Sequence, residues 1–519
     1  VRGEVVPTLA NGHVFVVRGR IGEMVADAAL ISTDGAFRVG QSWHQAVSPS
    51  GPFEADEHRP EDWDAHGWGR SATGAAVWFL DVTGRRSDAG DSFGRLRAAL
   101  SDVADSDLRS QIQGRPLPLV VLPVIGTEGG GFERERGQVV ERLLDLCRSF
   151  VHEHAIDIAI VATSSASYAA LQHQRRVEPQ RYFEPANLEA AEPIGDTAQR
   201  GALALFIGGG ASIPAGAPSW TGLISALATK AELSDEVAAD LPSLSVLDQA
   251  ELLHQKLGSR LGVAVAELVT DKKPALSHIL LAALCCESAV TTNYDNLYEL
   301  AVAAGGDAAA TVLPTQIPSA GSRWLLKMHG DAARPGSIVL TRGQFVDFHA
   351  ASGPSGAVLQ SLLLTKHLLV VGTSMTDDNV LRLIHEVAAY RERNQPEADG
   401  QADGEVRWAP FGTILDVSGN PSRRELHRQH FNWVSLAGET LEDRARQLEV
   451  FLDAVALYAS GDNSWLLDER FAFLLHGHER NLADRVRGLV RDIPRSPEPD
   501  SAWTALAHRL EEFGARPQE

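Results

Sequence analysis

Cysteine is scarce in this chain, which has three among its 519 residues. Cys147, Cys285 and Cys286 all lie in apolar segments, and two of them are adjacent. So few thiols cannot build a disulfide framework or a four-cysteine zinc site. We therefore expect all three to serve as small buried apolar side chains in a reducing environment.

Long apolar runs and basic runs are missing as well. No segment reaches the ~18 uninterrupted apolar residues of a membrane-spanning helix, and the first residues lack the charged-then-apolar pattern of a secretion signal. These absences predict a cytoplasmic protein that does not contact a membrane. The formal net charge is −21, and no Lys/Arg run offsets it. We expect no direct binding to nucleic acid, because its phosphates would be repelled.

The length predicts more than one domain, since single cores rarely exceed ~250–300 residues. A polar, proline-bearing stretch without clear periodicity divides the chain, and we interpret it as a linker. The predicted organisation is an α/β domain at 1–174, a linker at 175–200, a second α/β domain at 201–437 and a helical region at 438–519.

The alternation of strand and helix patterns predicts the fold class, which is α/β with a doubly wound, mostly parallel sheet. In the second domain the strand-like runs are 202–207, 288–292, 311–313, 324–328, 337–340, 367–373, 411–416 and 432–436. The helical patterns include 221–232, 246–257, 275–285, 294–304, 355–364 and 378–391. In the first domain the strand-like runs are 14–18, 28–32, 77–82, 117–123 and 156–162, with a glycine loop at 126–131 that opens a βαβ unit.

Four short motifs follow four of the predicted strands in 201–437. Each lies where an apolar strand gives way to a loop or helix, and that edge of an open α/β sheet is where ligands bind. The motif residues are Gly208, Gly209, Gly210, Ala211 and Ser212; Thr292, Asn293 and Asp295; His329; and Gly372, Thr373 and Ser374. Glycine loops, an amide, a carboxylate and a histidine at one edge predict a nucleotide site with catalytic groups.

Each motif alone also has an ordinary structural explanation. The glycine loop can be a tight strand-to-helix turn, and Asn293 with Asp295 can form an Asx turn and a helix cap. A lone histidine such as His329 is more often structural than catalytic. Asp377 or Asp378 can cap the helix after the second glycine turn. The combination of the four motifs, in this order, is what favours a shared site.

Together the four motifs resemble those of the sirtuin family, and more closely those of its bacterial branch found in anti-phage defence proteins. The resemblance implies that the glycine-Ala-Ser loop cradles NAD and that the turn at Gly372 contacts its ribose and phosphates. It also implies that Asn293 and Asp295 hold nicotinamide and prepare the ribose, and that His329 acts beside it. His278 fits the pattern of this branch too, and we interpret it as structural.

Two departures from the family pattern bear on function. Classical deacylating sirtuins carry a four-cysteine zinc module between the histidine strand and the second glycine turn, whereas residues 330–371 contain no cysteine. Residues 214–220 read Pro-Ala-Gly-Ala-Pro-Ser-Trp instead of the family's Ile-Pro-Asp-Phe-Arg run. The missing zinc module argues against the cleft that clamps an acyl-lysine peptide in those sirtuins. The remaining chemistry is release of nicotinamide from NAD with water as the acceptor.

The sequence is therefore expected to encode a metal-free NAD hydrolase that depletes cellular NAD as a defence effector. One alternative is a catalytically silent NAD or ADP-ribose sensor that regulates a partner. A less favoured one is an NAD-dependent protein deacylase. We expect homo-oligomers, with the helical region at 438–519 as a packing and assembly element, and a partner defence protein is the further expectation.

The N-terminal domain resembles a degenerate macro domain in residues 16–21, 26–34 and 123–131. Macro domains bind ADP-ribose-type ligands through a glycine loop at a helix start, so the resemblance implies a nucleotide-like ligand here. The family's Asn-rich segment is replaced by Ser-Thr-Asp at 32–34. A related nucleotide-sensor fold and a purely structural or oligomerising domain both stay open.

Overall fold

The computed structural model describes residues 11–49, 51–83, 89–106, 108–351, 353–394, 409–493 and 502–515. Contacts divide the chain into two compact units. The first comprises residues 1–195, 304–306 and 450–519, and the second comprises 196–303 and 307–449. The C-terminal residues from 450 onward therefore group with the N-terminal unit. The division falls inside the helix Leu441–Ala459, not at residue 438 where the sequence pattern changes.

The first unit is built on a six-stranded sheet whose order is β1-β6-β5-β2-β4-β3. Five strands are parallel, and the short edge strand β3 pairs antiparallel with β4. The strands are β1 (Val14–Arg18), β2 (Ala28–Thr33), β3 (Trp68–Arg70), β4 (Val77–Asp81), β5 (Leu119–Pro123) and β6 (Asp157–Ala162). All the predicted runs are present. Only β3 was missed, because three residues are too few to show a period.

Helices surround this sheet. In the described part of the first unit they are His44–Val47, Ala55–His58, Trp63–His66, Ala89–Asp105, Arg136–Glu153, Ser165–Val177, Gly477–Asp492 and Ala502–Glu511. The helices Pro185–Gln199 and Leu441–Ala459 run across the division. Short 3-10 turns lie at Ile21–Glu23, Gln41–Trp43, Pro179–Arg181 and Glu469–Leu474.

The segment 175–200, expected to be a linker, is mostly helical and well packed. It contains the end of Ser165–Val177, a 3-10 turn and the helix Pro185–Gln199. Phe183 and Ala191 are buried, and so is the charged side chain of Arg175. The division between the two units does fall in this segment, at residues 195 and 196, but the segment is folded and not loosely packed. Its prolines and exposed polar residues resemble a connector in the sequence and hide the buried positions between them.

The second unit contains a seven-stranded sheet, and every strand in it pairs in parallel. Its order is β13-β12-β11-β7-β8-β10-β9. The strands are β7 (Leu203–Ile207), β8 (Ser288–Thr291), β9 (Thr311–Leu313), β10 (Trp324–Lys327), β11 (His367–Val371), β12 (Gly412–Asp416) and β13 (Phe431–Ser435). The predicted α/β class with a doubly wound parallel sheet is confirmed for this unit.

One predicted strand in the second unit is wrong. Ser337 ends the 3-10 turn Pro335–Ser337, and residues 338–340 are irregular. Val339 N donates to His329 O, in the loop after β10, over 2.8 Å. Ile338 and Leu340 are apolar because they are buried in a helical cluster and not because they belong to the sheet. Burial by helices produced the same apolar pattern as a strand.

The helices of the second unit form two packing groups. One group lies between β7 and β8 in the chain and builds its own buried cluster around Leu227, Leu253 and Val265. The other packs on the sheet through Leu363 and Leu383. The helices of the unit are Trp220–Lys230, Asp235–Asp240, Val246–Leu257, Arg260–Val269, Leu276–Ala283, Leu297–Ala304, Arg342–Ala351, Gly353–Thr365, Asp378–Arg393 and Pro421–His427. Three 3-10 turns are Gly209–Ala215, Leu241–Ser243 and Pro335–Ser337.

Two findings bear on the scarce residue types. Cys147 and Cys286 are buried free thiols, and burial raises the pKa of Cys286 to about 12. Cys285 is exposed, with a positive φ of 55°, so the expectation that all three are buried was wrong for this residue.

Among the described residues, no helix combines the length and apolar character needed to cross a membrane.

Candidate functional site

The four sequence motifs follow four strands that are neighbours in the sheet. In the order β11, β7, β8, β10 these strands lie side by side, although they are far apart in the chain. Their parallel direction brings all four carboxyl ends to the same edge. The chain runs from β7 toward β8 on one side and returns to β11 on the other. The edge at β7 is therefore a topological switch point, where open α/β sheets bind ligands.

The two glycine turns interlock through their backbones. Gly208 N donates to Val371 O over 2.8 Å, and Gly210 N donates to Gly372 O over 2.7 Å. A Cβ atom on Gly208 would lie 2.6 Å from Gly372 O, and one on Gly210 would lie 2.8 Å from the same oxygen. Gly372 has a φ of +71° and leaves no room for a Cβ either. Glycine is needed here because two backbone segments touch.

A buried hydroxyl links the second motif to the first. Ser212 is buried in the middle of the glycine loop's 3-10 turn, Gly209–Ala215. Its Oγ donates to Asp295 Oδ2 over 2.8 Å and accepts from Asn293 Nδ2 over 3.1 Å. The same oxygen lies 3.3 Å from His278 Nε2. Ser212, Asn293, Asp295 and His278 thus form one hydrogen-bonded network.

Asp295 serves the fold and the site at once. Its Oδ1 accepts from the backbone N–H of Leu297, the first residue of the helix Leu297–Ala304, over 3.1 Å. Its backbone carbonyl accepts from the buried ammonium of Lys327 over 2.7 Å. The helix-cap explanation and the site explanation therefore both hold, because the two carboxylate oxygens have different partners.

His329 is buried on the loop after β10, against the rings of Phe345 and Phe348. Its Nε2 lies 3.3 Å from Asp377 Oδ2, close enough for an ion pair once the ring is protonated, although the groups are not aligned for a hydrogen bond. Such alignment often tightens only when a substrate is bound. Burial lowers the pKa of His329 below its usual value, and the carboxylate of Asp377 partly opposes this shift.

The other predicted site residues line the same edge without joining the network. Thr292 and Thr373 are half-buried, and Gly209 is exposed. Ser374 is exposed, and its Oγ lies 2.7 Å from Thr376 Oγ1. Ala211 is buried beside Gly208, whose carbonyl accepts its N–H. The hydroxyl groups of Thr292, Thr373 and Ser374 are thus at least partly exposed at this edge, whereas Ser212 and Asp295 of the network are buried.

Sequence reasoning missed two partners in this site. Asp377 was expected only as a helix cap, which it is: its Oδ1 accepts from Val380 N over 3.0 Å. Its second oxygen faces His329, and no local pattern shows that pairing. His278 was interpreted as structural, yet it contacts Ser212. In the described ranges, no group of three or more His, Cys, Asp or Glu residues is arranged to hold a metal ion.

The first unit has a cavity of its own, with a volume of about 280 Å³. It is lined by residues at the carboxyl ends of β2, β4, β5 and β6 and by residues 126–130 of the glycine loop. Gly126 and Gly129 adopt positive φ angles of 67° and 83°. Thr33 and Ser32 line the cavity, and among the described residues their hydroxyl oxygens have no hydrogen-bond partner. Thr33 is buried, with 5% of its surface exposed.

Comparisons with known proteins point to one family. Residues 287–404 match the model of a family described as a SIR2-like domain. A protein named NAD(+) hydrolase ThsA from Acinetobacter baumannii (strain 532279) is 30% identical over 202 residues, which cover 37% of this chain and 40% of that protein. A protein of the same name from Enterococcus faecium is 29% identical over 39% of this chain and 43% of its own length. Another from Bacillus cereus (strain MSX-D12) is 29% identical over 37% of this chain and 41% of its own length.

The chain thus spans less than half the length of each of these curated relatives. The matches confirm the predicted resemblance to bacterial sirtuin-like NAD hydrolases, and the matched segment contains β8, β9, β10 and β11. The macro-like resemblance of residues 1–174 stays a prediction.

Proposed function

We propose that this chain hydrolyses NAD to nicotinamide and ADP-ribose. The observation that carries the proposal is the Ser212, Asn293 and Asp295 network beside interlocked glycine turns, at the edge of a SIR2-like sheet. The curated relatives, which match 37–39% of this chain, are named NAD(+) hydrolases. A glycine-lined edge admits the phosphates closely, and the network places polar groups where a ribose would follow.

The proposed reaction breaks the bond between nicotinamide and the ribose carbon, and a water oxygen bonds to that carbon. Asp295 binds the carboxamide of nicotinamide, and Asn293 positions the water or the ribose hydroxyls. His329 accepts the proton that the water loses and passes it to solvent. Burial lowers the pKa of His329, so the ring is neutral near pH 7 and able to accept that proton. Positioning and electrostatics supply the rate acceleration.

The remaining residues of the edge bind the rest of the substrate in this proposal. Gly208, Gly209, Gly210 and Ala211 border the pyrophosphate. The hydroxyls of Thr292, Thr373 and Ser374 reach the ribose and phosphates. Asn293 and His329 argue against a silent sensor, because binding alone requires no proton acceptor. The missing zinc cysteines argue against a deacylase. We propose further that the enzyme depletes cytoplasmic NAD as an anti-phage effector.

Purified full-length protein incubated with NAD should release nicotinamide and ADP-ribose in equal amounts, and EDTA should leave the rate unchanged. The reason is that the proposed steps use only protein side chains and water. Chromatography of nicotinamide and ADP-ribose over time measures the rate, in dialysed protein samples with and without EDTA. Loss of activity in EDTA that zinc restores would contradict the metal-free mechanism, and absence of nicotinamide release under all conditions would contradict the proposed function.

We also propose that the cavity of the first unit binds a nucleotide-like ligand that regulates the enzyme, in a homo-oligomer or together with a partner defence protein. The support is the position of the cavity at strand carboxyl ends, its positive-φ glycine loop and its two hydroxyls without partners. Unregulated NAD loss would kill the host cell, so a control element is expected. A ligand can regulate only if it binds two states with different affinity.

Gly129→Asp in the full-length chain should weaken binding of ADP-ribose at this cavity by about tenfold or more, since a new carboxylate would face the phosphates. Calorimetry measures this affinity, and no turnover intervenes because ADP-ribose is the product of the proposed reaction. Gly114→Asp is the matched control, because Gly114 also has a positive φ, of 80°, and open space around it. Equal affinities for both variants and for their parent would contradict the proposal, as would the absence of ADP-ribose binding in the parent.

A further inference from the structure

His278 lies on the helix Leu276–Ala283, and 1% of its surface is exposed. Both ring nitrogens have partners in the second unit: Nδ1 is 3.3 Å from the backbone nitrogen of Ala275, and Nε2 is 3.3 Å from Ser212 Oγ. We propose that His278 is a positioning residue that sets the direction of every hydrogen bond around Ser212 and thereby orients Asn293. This inference rests on the proposed NAD hydrolysis at that site.

The ring's protonation follows from its neighbours. The N–H of Ala275 can only donate, so Nδ1 accepts and carries no proton. Burial lowers the pKa of His278 to about 4, so the ring is neutral near pH 7. A neutral ring whose Nδ1 accepts must carry its proton on Nε2. Nε2–H therefore donates to Ser212 Oγ.

This donation fixes the hydroxyl of Ser212. A hydroxyl has one proton to donate and two lone pairs that accept. Its lone pairs are taken by His278 Nε2 and by Asn293 Nδ2, and its proton points to Asp295 Oδ2. The hydroxyl is thus fully used, with one arrangement that satisfies all three neighbours. Buried networks of this kind specify a unique geometry.

The orientation of Asn293 follows in turn. Because its amide nitrogen is held on Ser212, its Oδ1 points away from that hydroxyl, on the side of Gly209, where a Cβ would lie 3.8 Å from it. That carbonyl oxygen is the group that can accept from a water or ribose hydroxyl. Without the donor on His278, Ser212 could rotate and the amide could turn over, which would present a donor in place of the acceptor.

Nδ1 of His278 accepts from the backbone and Nε2 donates to Ser212, and two substitutions each keep only one of these hydrogen bonds. In His278→Gln the terminal amide nitrogen lies near the place of Nε2 and can still donate to Ser212. In His278→Asn the amide oxygen lies near the place of Nδ1 and can still accept from Ala275, but the side chain is too short to reach Ser212. A purely structural role would favour Asn, and the positioning role favours Gln.

For NAD hydrolysis by the full-length chain, we expect His278→Asn to lower kcat about ten- to hundredfold with KM little changed. We expect His278→Gln to stay within about threefold of the parent kcat. In a Ser212→Ala background, His278→Asn should have little further effect, because the two residues act in series. Wild-type kcat in His278→Asn, equal losses in both variants, or additive losses with Ser212→Ala would each overturn the proposal.

A second measurement separates this inference from the proposed function. Nitrogen-15 NMR of the histidine-labelled full-length chain, with His278→Gln to assign the signal, reports which ring nitrogen carries the proton. We expect the Nε2–H form between about pH 5 and pH 8, given the direction of the pKa shift. An Nδ1–H or doubly protonated ring in that range would overturn the proposal even if NAD is hydrolysed. If the protein hydrolyses no NAD, the proposed function fails, and the predicted tautomer is still decided by this spectrum.

Discussion

Asn293→Ala should lower the rate of NAD cleavage by about 100-fold or more while the protein keeps its fold, since loss of one positioned polar group commonly has an effect of that size. Asn293 is half-buried and makes one side-chain hydrogen bond, to Ser212, so little folding energy depends on it. Nicotinamide release measures the rate, and thermal unfolding checks the fold. Asn296→Ala is the control, because Asn296 is on the same loop and exposed.

His329→Ala should reduce cleavage to a similar extent and should change the pH dependence as well. A proton acceptor works only when neutral, and burial lowers the pKa of His329 below 6.5. The parent rate should therefore persist at mildly acidic pH and fall only as the pH drops through the lowered pKa. This acid limb of kcat/KM should be missing in the variant. A folded variant with parental turnover, or an unchanged acid limb, would exclude His329 as the acceptor.

Asp453→Ala should lower the free energy of unfolding of the first unit by about 3–5 kcal/mol, because it leaves a buried cation without its counter-ion. Asp453 and Arg175 are both fully buried, and two guanidinium nitrogens contact the carboxylate, at 3.0 Å and 2.5 Å. His13 Nε2 lies 2.8 Å from the same group. Burial alone would raise the pKa of Asp453, but Arg175 and His13 lower it overall. Its stabilisation should accordingly be lost as the pH falls through that lowered value.

Urea unfolding followed by hydrogen exchange in β1 and β6 measures this effect within the first unit, where a single two-state transition for the whole chain is not assumed. Glu189→Ala is the control, since Glu189 is exposed on the helix Pro185–Gln199. If the two variants lose equal stability, the buried ion pair does not have the role assigned to it.

The sequence predicted the positions of the site residues better than their contacts. The strands before Gly208, Asn293 and Gly372 are recognisable because uninterrupted apolar runs end abruptly in glycine or polar residues. That these strands are neighbours depends on pairing between segments far apart in the chain, and no local pattern encodes it. The same limit explains why the cap at Asp377 was predicted and its approach to His329 was not.

The two segments that the sequence misrepresented, 175–200 and 337–340, also depend on contacts with distant parts of the chain. Residues 175–200 looked like a linker because Arg175 suggests solvent, whereas its partner Asp453 lies 278 residues further along the chain. The run at 337–340 looked like a strand because burial by helices and burial in a sheet select the same apolar residues. Composition suggests burial or exposure, and only the tertiary contacts decide which side chains are buried and what buries them.

The interlocked glycine turns restrict how this edge can hold an anion. The amide of Gly208 is already bound to Val371 O and that of Gly210 to Gly372 O. Ala211 N donates to the carbonyl of Gly208. The first two donors cannot point at a phosphate unless the turns separate, and the third is used inside its own loop. The loop therefore contributes mainly by permitting close approach. Because the two turns are hydrogen-bonded to each other, we expect a distortion introduced at Gly372 to reach a ligand through Gly208.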